Sequence, residues 1–235
     1  MAAIFAGTSG WAYASWKPGF YPAKLASAKF LQHYATRLNT VEVNYTFRHF
    51  VTEKTLNGWI ASTPDNFKFS VKAHQRITHT KKLRGAADDA RGFLSSLQLL
   101  SEARKLGMVL FQLPPYLKAD IPLLDEFLAG LGRAARFAFE FRHPSWFSDL
   151  TFETLRKHSA AICVAETEEL ETPDVRTADF CYYRLRKPEY SAEGVKGIAA
   201  KVSARQGEGC DVFVYFKHED TPQGALYAEQ LLLAR

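Results

Sequence analysis

Residues 136–146 read RFAFEFRHPSW, and the alternation in this stretch decides the fold. Successive side chains on a strand point to opposite faces, so Phe137, Phe139 and Phe141 share one face while Ala138, Glu140 and Arg142 share the other. The segments before and after carry helical spacing, which predicts a parallel sheet covered by helices, with the phenylalanines beneath them. Glu140 and Arg142 are then expected to point into the interior. An unpaired charge there costs several kcal/mol, so each needs the other, further partners or a ligand.

The same pattern recurs outward from this strand. In TVEVNYTF, residues 40–47, Val41, Val43 and Tyr45 are expected to face helices and Glu42, Asn44 and Thr46 the interior. FKFSVKA, residues 67–73, sets Phe67, Phe69 and Val71 against Lys68, Ser70 and Lys72. Residues 108–113 form a fourth strand buried on both faces and stopped by Pro114–Pro115. AAICVAET ends a sixth strand in Glu166, DFCYYRLR gives a seventh with Tyr182, Arg184 and Arg186 on one face, and DVFVYFKH gives an eighth with Phe213, Tyr215 and Lys217 on one face.

Between the strands, Phe30, Leu31, Tyr34, Ala35 and Leu38 recur at helical spacing, and Thr52 caps a helix that Pro64 ends. A long helix is expected from about Asp88, with Phe93, Leu97, Leu100 and Ala103 as its stripe and Gly107 as its stop. Asp120 with Pro122, Thr151, Ser191, and Thr221 with Pro222 mark four more helix starts. Counting the irregular stretch after the sixth strand as a degenerate helix, eight strands alternate with eight helices, the pattern of a single (β/α)₈ TIM-type barrel over residues 1–235. A doubly wound open sheet competes. Polar residues on one face of strands two, three, five, seven and eight favour strands converging on a shared mouth.

Composition places the chain among ordinary soluble domains, with 47% hydrophobic and 23% charged residues in 235. A net charge of +5 points toward anionic partners, phosphates or nucleic acid, or simply toward solubility. Cys163, Cys181 and Cys210 are widely separated and lie in or beside apolar runs, so they read as buried reduced thiols. No run approaches membrane-spanning length and residues 1–7 lack a leader pattern, so a cytoplasmic location with no membrane partner is expected.

Two loops carry further signals. Gly7 and Gly10 in GTSGW permit a sharp turn with accessible backbone amides, a weak phosphate signal beside its plain structural reading. Trp11, Tyr13, Trp16, Phe20 and Tyr21 follow, too many aromatics for an exposed connector, so this loop is expected to fold over the barrel mouth or a neighbouring loop. After the third strand lies AHQRITHTKKLRG, with His74, Arg76, His79, Lys81, Lys82 and Arg84. Such a run is usually a solvated surface, but a loop there borders the site of a barrel.

GTSGWAY with the later FYP, TVEVNYTF, FKFSVKA with ITH, LFQLPP, FAFEFRHPSW, YYRLR and VYFKH follow one another nearly end to end, and in this the chain resembles the domain of unknown function 72 family, also called YecE-like. The resemblance implies the same barrel, similar in fold to the xylose-isomerase and endonuclease IV-like enzymes, and leaves the reaction open. It carries over Glu42, Asn44, Lys72, Gln112, Glu140, Arg142 and Arg184 as family positions. The chain departs from the pattern at Arg48, Glu166, Arg186–Lys187 and Lys217–His218. All but Glu166 add a basic or titratable group near the mouth, which turns the expected ligand away from a neutral one.

The leading functional reading is an enzyme acting on a phosphorylated or other small anionic substrate. Arg142, Arg184, Arg186, Lys72 and Lys217 would bind negative charge, Asn44, Gln112, Trp11 and Tyr13 would complete the substrate site, and Glu140 or Glu42 would serve as general acid or base. The competing reading is an interior ion network of Glu140–Arg142 or Glu42–Arg184 pairs without chemistry. A metal would have to gather Glu42, Glu140, Glu166 and His218 from separate strands, and no paired-His spacing supports one. The cofactor and oligomeric state are left open. A nucleic-acid-binding protein, with or without nuclease activity, is the alternative, using residues 74–84 for phosphates and Trp11, Tyr13 and Trp16 for stacking. A non-catalytic interaction module is the third.

Overall fold

A computed structural model describes residues 2–166, 171–187, 189–217 and 220–234. Its strands are β1 (Ile4–Thr8), β2 (Thr40–Val43), β3 (Lys68–Lys72), β4 (Leu106–Gln112), β5 (Phe137–Glu140), β6 (Ala161–Ala165), β7 (Phe180–Leu185) and β8 (Asp211–Phe216). All pair in parallel, in the order β1-β8-β7-β6-β5-β4-β3-β2. Around them lie α1 (Phe30–Tyr34), α2 (Glu53–Ala61), α3 (Ala87–Ser95), α4 (Gln98–Glu102), α5 (Ile121–Leu131), α6 (Asp149–Lys157), α7 (Ala192–Gly207) and α8 (Gln223–Leu233). The expected barrel is therefore the fold. Among the described residues no helix separates β6 from β7.

Side chains close the seam between β1 and β2. Among the described residues their only backbone bridge is Ser9 opposite Glu42. Below it, the Asn39 amide accepts from the Ala6 N–H and donates to the Ile4 carbonyl, each at 2.9 Å. The Tyr34 hydroxyl accepts from the Thr8 N–H and donates to the Thr40 carbonyl, also at 2.9 Å. Buried edge groups that a ladder would pair are thus satisfied by two polar side chains. Gly7 explains the close approach, because a Cβ there would lie 1.9 Å from the Thr40 oxygen.

The core has two parts. An outer shell packs helices on strands, with Phe111 stacked on Phe139 at 5.1 Å and Phe127 meeting Phe111 edge-on at 5.2 Å. Inside the barrel, Met108, Leu110, Ala138, Cys163 and Phe213 pack with Tyr182 and Tyr215 in a second cluster. All three cysteines are buried, and none forms a disulfide.

Several local expectations are corrected. The long helix after β3 is two helices, α3 and α4, broken at Ser96–Leu97, and Gly107 lies inside β4 rather than ending a helix. The chain reverses instead at Arg104, a non-glycine residue at φ +55. β2 stops at Val43, and residues 45–47 coil into a 3₁₀ turn that leaves Tyr45 57% exposed instead of facing helices. Ser148, not Thr151, caps α6, accepting from the Thr151 N–H. Pro222 itself occupies the cap position of α8. The caps at Thr52, Asp120 and Ser191 are as expected.

Candidate functional site

The barrel interior becomes more polar toward the C-terminal ends of its strands. Tyr215, from β8, donates its hydroxyl to Ser70 Oγ at 2.7 Å and lies 2.8 Å from Thr40 Oγ1. Above this belt, β2, β4, β5 and β7 each carry a polar side chain at the last or next-to-last position: Glu42, Gln112, Glu140 and Arg184. The first and third are fully buried, and Arg184 is 3% exposed. The alternation read in the sequence places them there, because each continues the inward face of its strand.

Arg184 joins the two carboxylates. Its Nη2 donates to Glu42 Oε1 at 2.7 Å and its Nη1 to Glu140 Oε2 at 2.5 Å. Glu42 also accepts from Ser9 Oγ at 2.7 Å, Tyr182 Oη at 2.7 Å and Asn44 Nδ2 at 3.2 Å. Glu140 accepts from Gln112 Nε2 at 2.8 Å and from Arg186 Nη2 at 3.3 and 3.4 Å. Lys72 Nζ donates to Gln112 Oε1 at 2.7 Å and sits 4.1 Å above the Phe47 ring.

These contacts set the charges. Burial would raise the Glu140 pKa, but Arg184 and Arg186 outweigh it and hold the carboxyl down at about 2. Glu42 is likewise held below its ordinary value against the cost of burial, by Arg184 and by hydrogen bonds from Arg184, Ser9 and Tyr182. Lys72 moves the other way. Burial first, and the neighbouring Arg184 charge second, lower its pKa to about 8.

Arg142 corrects the first reading of the sequence. β5 ends at Glu140, so Arg142 leaves the inward face, and its side chain is 36% exposed with Nε 3.9 Å from Glu140 Oε1. The buried partner of Glu140 is Arg184, which comes from across the barrel. Lys217 follows β8 and is exposed. Trp11, Tyr13 and Asn44 line a cleft of about 410 Å³ beside the network, together with Ser9, Tyr45 and Trp59. Trp16 is buried, so it offers no stacking face, and Phe20 and Tyr21 pack with it against α1.

The amides expected to be open after β1 are engaged. Ser9 N donates to the Phe216 carbonyl at 3.1 Å and Gly10 N to the Glu42 carbonyl at 2.9 Å. Glu166 turns toward the loop after β7, where the Tyr190 hydroxyl donates to it and Lys187 lies 3.8 Å away. Among the described residues no three His, Cys, Asp or Glu side chains gather as a metal site, and His218 lies outside those residues. In the basic loop Arg76 and Lys81 both pair with Asp89, and Arg84 pairs with Asp120.

Sequence reasoning missed Ser9, Tyr182 and Phe47 as members of the site. Tyr182 was legible as sharing a face with Arg184. Ser9 and Phe47 lie beyond strand ends, where alternation stops predicting direction.

The architecture and the polar centre at the strands' C-terminal ends define a (β/α)₈-barrel protein with an ionised network at its mouth. The chain belongs to the family described as "Protein of unknown function DUF72", which it matches over residues 5–234. It is similar to the UPF0759 protein YunF of Bacillus subtilis, 32% identical over 157 residues that cover 64% of this chain and 54% of that protein. It is also similar to the UPF0759 protein YecE of Escherichia coli K12, 29% identical over 62% of this chain and 50% of that one. The chain thus spans about half the length of the curated relatives it matches. The crystal structure of a DUF72 family protein from Thermotoga maritima superposes with a TM-score of 0.86 at 26% identity, covering 99% of this chain and 100% of that one. A second DUF72 structure, from Enterococcus faecalis, gives 0.79 at 16% identity over 100% and 98% of the two chains, a likeness of fold. Among the described residues no helix is long and apolar enough to cross a membrane.

Proposed function

We propose that the barrel mouth binds and transforms a small anionic substrate, a phosphorylated one above all. The observation that carries this reading is an imbalance of charge among the described residues: Arg142, Arg184 and Arg186 meet two carboxylates, Glu42 and Glu140, with Lys72 held beside them by Gln112. The Nε atoms of Arg184 and Arg186 are buried with no hydrogen-bond partner, and Lys72 has no carboxylate of its own among the described residues. A bound anion supplies the missing charge and acceptors.

In this reading Arg142, Arg186 and Lys72 receive the anionic group, with Lys217 at the rim, and Gln112 holds the Lys72 ammonium. The rest of the substrate occupies the cleft beside Trp11, Tyr13 and Asn44, whose Oδ1 is buried and unpartnered. Glu42 and Glu140 are held ionised, so they fix Arg184 and stabilise positive charge that develops in the substrate. Lys72, with a pKa of about 8, is the group whose proton moves most readily near neutral pH. Proton abstraction from, or donation to, a substrate held by its anionic group is the reaction class that suits this set.

Exposed rings at Tyr45, Phe50 and Tyr116 favour a second reading, binding of single-stranded nucleic acid at the rim. The pairing of Arg76, Lys81 and Arg84 with Asp89 and Asp120 weakens it, since those cations are already neutralised.

The test is a thermal-shift screen of phosphorylated metabolites on the unaltered protein, Arg142→Ala and Arg186→Gln, alongside anisotropy with short nucleic acids over a salt series. The reading expects stabilisation by at least one phosphorylated compound that both substitutions abolish and Lys81→Ala/Lys82→Ala leaves intact. Ligand stabilisation indifferent to Arg142 and Arg186 overturns it. Steeply salt-dependent nucleic-acid binding lost with Lys81 and Lys82 replaces it with the second reading.

A further inference from the structure

The opposite end of the barrel holds a second cavity, also of about 410 Å³, and no part of the mouth network reaches it. Its lining comes from strand starts and the turns before them: Phe5 of β1, Lys68 of β3, Gly107 of β4, Asp211 and Phe213 of β8, with Arg104 and Arg136 from the preceding turns. In barrels of this class the N-terminal face ordinarily serves stability, and a cavity of ligand size there is unexpected.

Three cations face one carboxylate in this cavity, and that carboxylate is already satisfied. Asp211 accepts from the Ala3 N–H at 2.8 Å through Oδ1 and from Arg136 Nη1 at 2.7 Å through Oδ2. Lys68 Nζ donates to the backbone carbonyl of Arg104, a neutral acceptor. Among the described residues neither Lys68 nor Arg104 forms an ion pair with a carboxylate, and Asp211, already paired with Arg136, offsets the Lys68 charge only in part. The Lys68 ammonium is destabilised first by burial and then by the Arg136 charge, and a bound anion would offset the repulsion from Arg136.

The remaining wall is flat and apolar. Phe5 is half-buried and stacks on Phe213, with ring centroids 4.4 Å apart at 20°. Gly107 keeps the space open, because a Cβ there would come within 3.0 Å of the Phe213 ring and 3.3 Å of Lys68 Cβ. Arg104 is held at φ +55, a conformation unfavourable for a residue with a side chain, and its carbonyl is the one that takes the Lys68 ammonium.

We propose that this N-terminal cavity is a second binding site, for a small organic anion with a planar ring. The ring packs on Phe5, which the buried Phe213 backs from beneath, and the anionic group is held by Lys68 and Arg104. Cations beside an aromatic wall select an aryl phosphate, sulfonate or carboxylate over either an inorganic ion or a neutral ring.

The probe is phenyl phosphate, followed through the backbone amides of the ¹⁵N-labelled full chain, with inorganic phosphate and phenol as the two halves of the ligand. The amides of Leu106 and Gly107 should shift saturably with phenyl phosphate and respond about tenfold more weakly to either half. Lys68→Gln combined with Arg104→Gly should weaken this binding by about tenfold or more. The glycine relieves the left-handed backbone, and unchanged amide dispersion away from the cavity shows that lost binding does not come from a damaged fold. Arg186→Gln, at the mouth, should leave these shifts unchanged. Shifts confined to mouth residues, saturation indifferent to the Lys68 and Arg104 substitutions, or inorganic phosphate binding as tightly as phenyl phosphate would each overturn the proposal.

Discussion

Glu42 and Glu140, on strands β2 and β5, share a single cation, the guanidinium of Arg184 on β7, at 2.7 and 2.5 Å. Neither carboxylate touches solvent. Three charges from three separate strands are therefore balanced at one point, and the network cannot assemble until the barrel does.

Arg184→Met should be strongly destabilising. It leaves Glu42 buried without its cation and Glu140 with only the longer contact to Arg186, at a cost of about 3–5 kcal/mol. Urea unfolding at pH 7 measures it as a lowered midpoint with little change in slope. A loss below about 1 kcal/mol would mean that water or movement relieves the pair.

Acid should unfold the protein through Glu140. Its folded pKa of about 2 lies below the ordinary 4.5, so the carboxylate contributes stability that is complete above pH 4.5 and lost as pH falls toward 2. Urea midpoints taken across that interval should fall more steeply for the unaltered protein than for Glu140→Gln, which has no proton to take up. Parallel profiles would assign the acid sensitivity to other carboxylates.

Lys72 should give a slope of the same sign at the alkaline end. Its folded pKa of about 8 is below the ordinary 10.5, so between these values the unfolded chain binds more protons and stability rises with pH. Reductive methylation with ¹³C-formaldehyde should reveal one lysine resonance titrating near 8, absent in Lys72→Met. A Lys72 resonance titrating above 10 would remove it as the proton-transfer group of the proposed reaction.

The seam between β1 and β2 should be sensitive at two residues that touch no ligand. Asn39→Ala leaves the Ala6 N–H and Ile4 carbonyl unpaired and should cost about 1–3 kcal/mol, with faster hydrogen exchange at the Ala6 amide. Gly7→Ala forces a methyl group into the Thr40 carbonyl and should cost more than Asn39→Ala in the same denaturation experiment.

A fragment binding at the mouth should strengthen when Lys72 is charged. Phosphate-dependent thermal stabilisation is expected to decline as pH rises through about 8 in the unaltered protein and to show no such decline in Lys72→Met. Identical pH profiles would place the anion elsewhere.

The sequence by itself determined the strand count, the order of elements and the inward face of each strand, because a period of two is a local property that burial on a helix-covered sheet enforces. Glu42, Glu140 and Arg184 were legible for that reason, each polar and in phase with the inward side, whereas Gln112 was expected from the family resemblance alone. Local pattern failed where the backbone leaves the strand. Arg142 is in phase with Glu140 on paper, but β5 stops between them, and Ser9 and Phe47 join the site from turns whose direction no alternation predicts. Tertiary structure alone decided the pairing. Arg184 meets two glutamates distant in the chain, Asn39 and Tyr34 stand in for a missing ladder, and Lys68, Arg104 and Arg136 surround one aspartate at the far end of the barrel. Which charges meet depends on barrel closure, since side chains from strands remote in sequence become neighbours only when the sheet curls and brings β1 against β2.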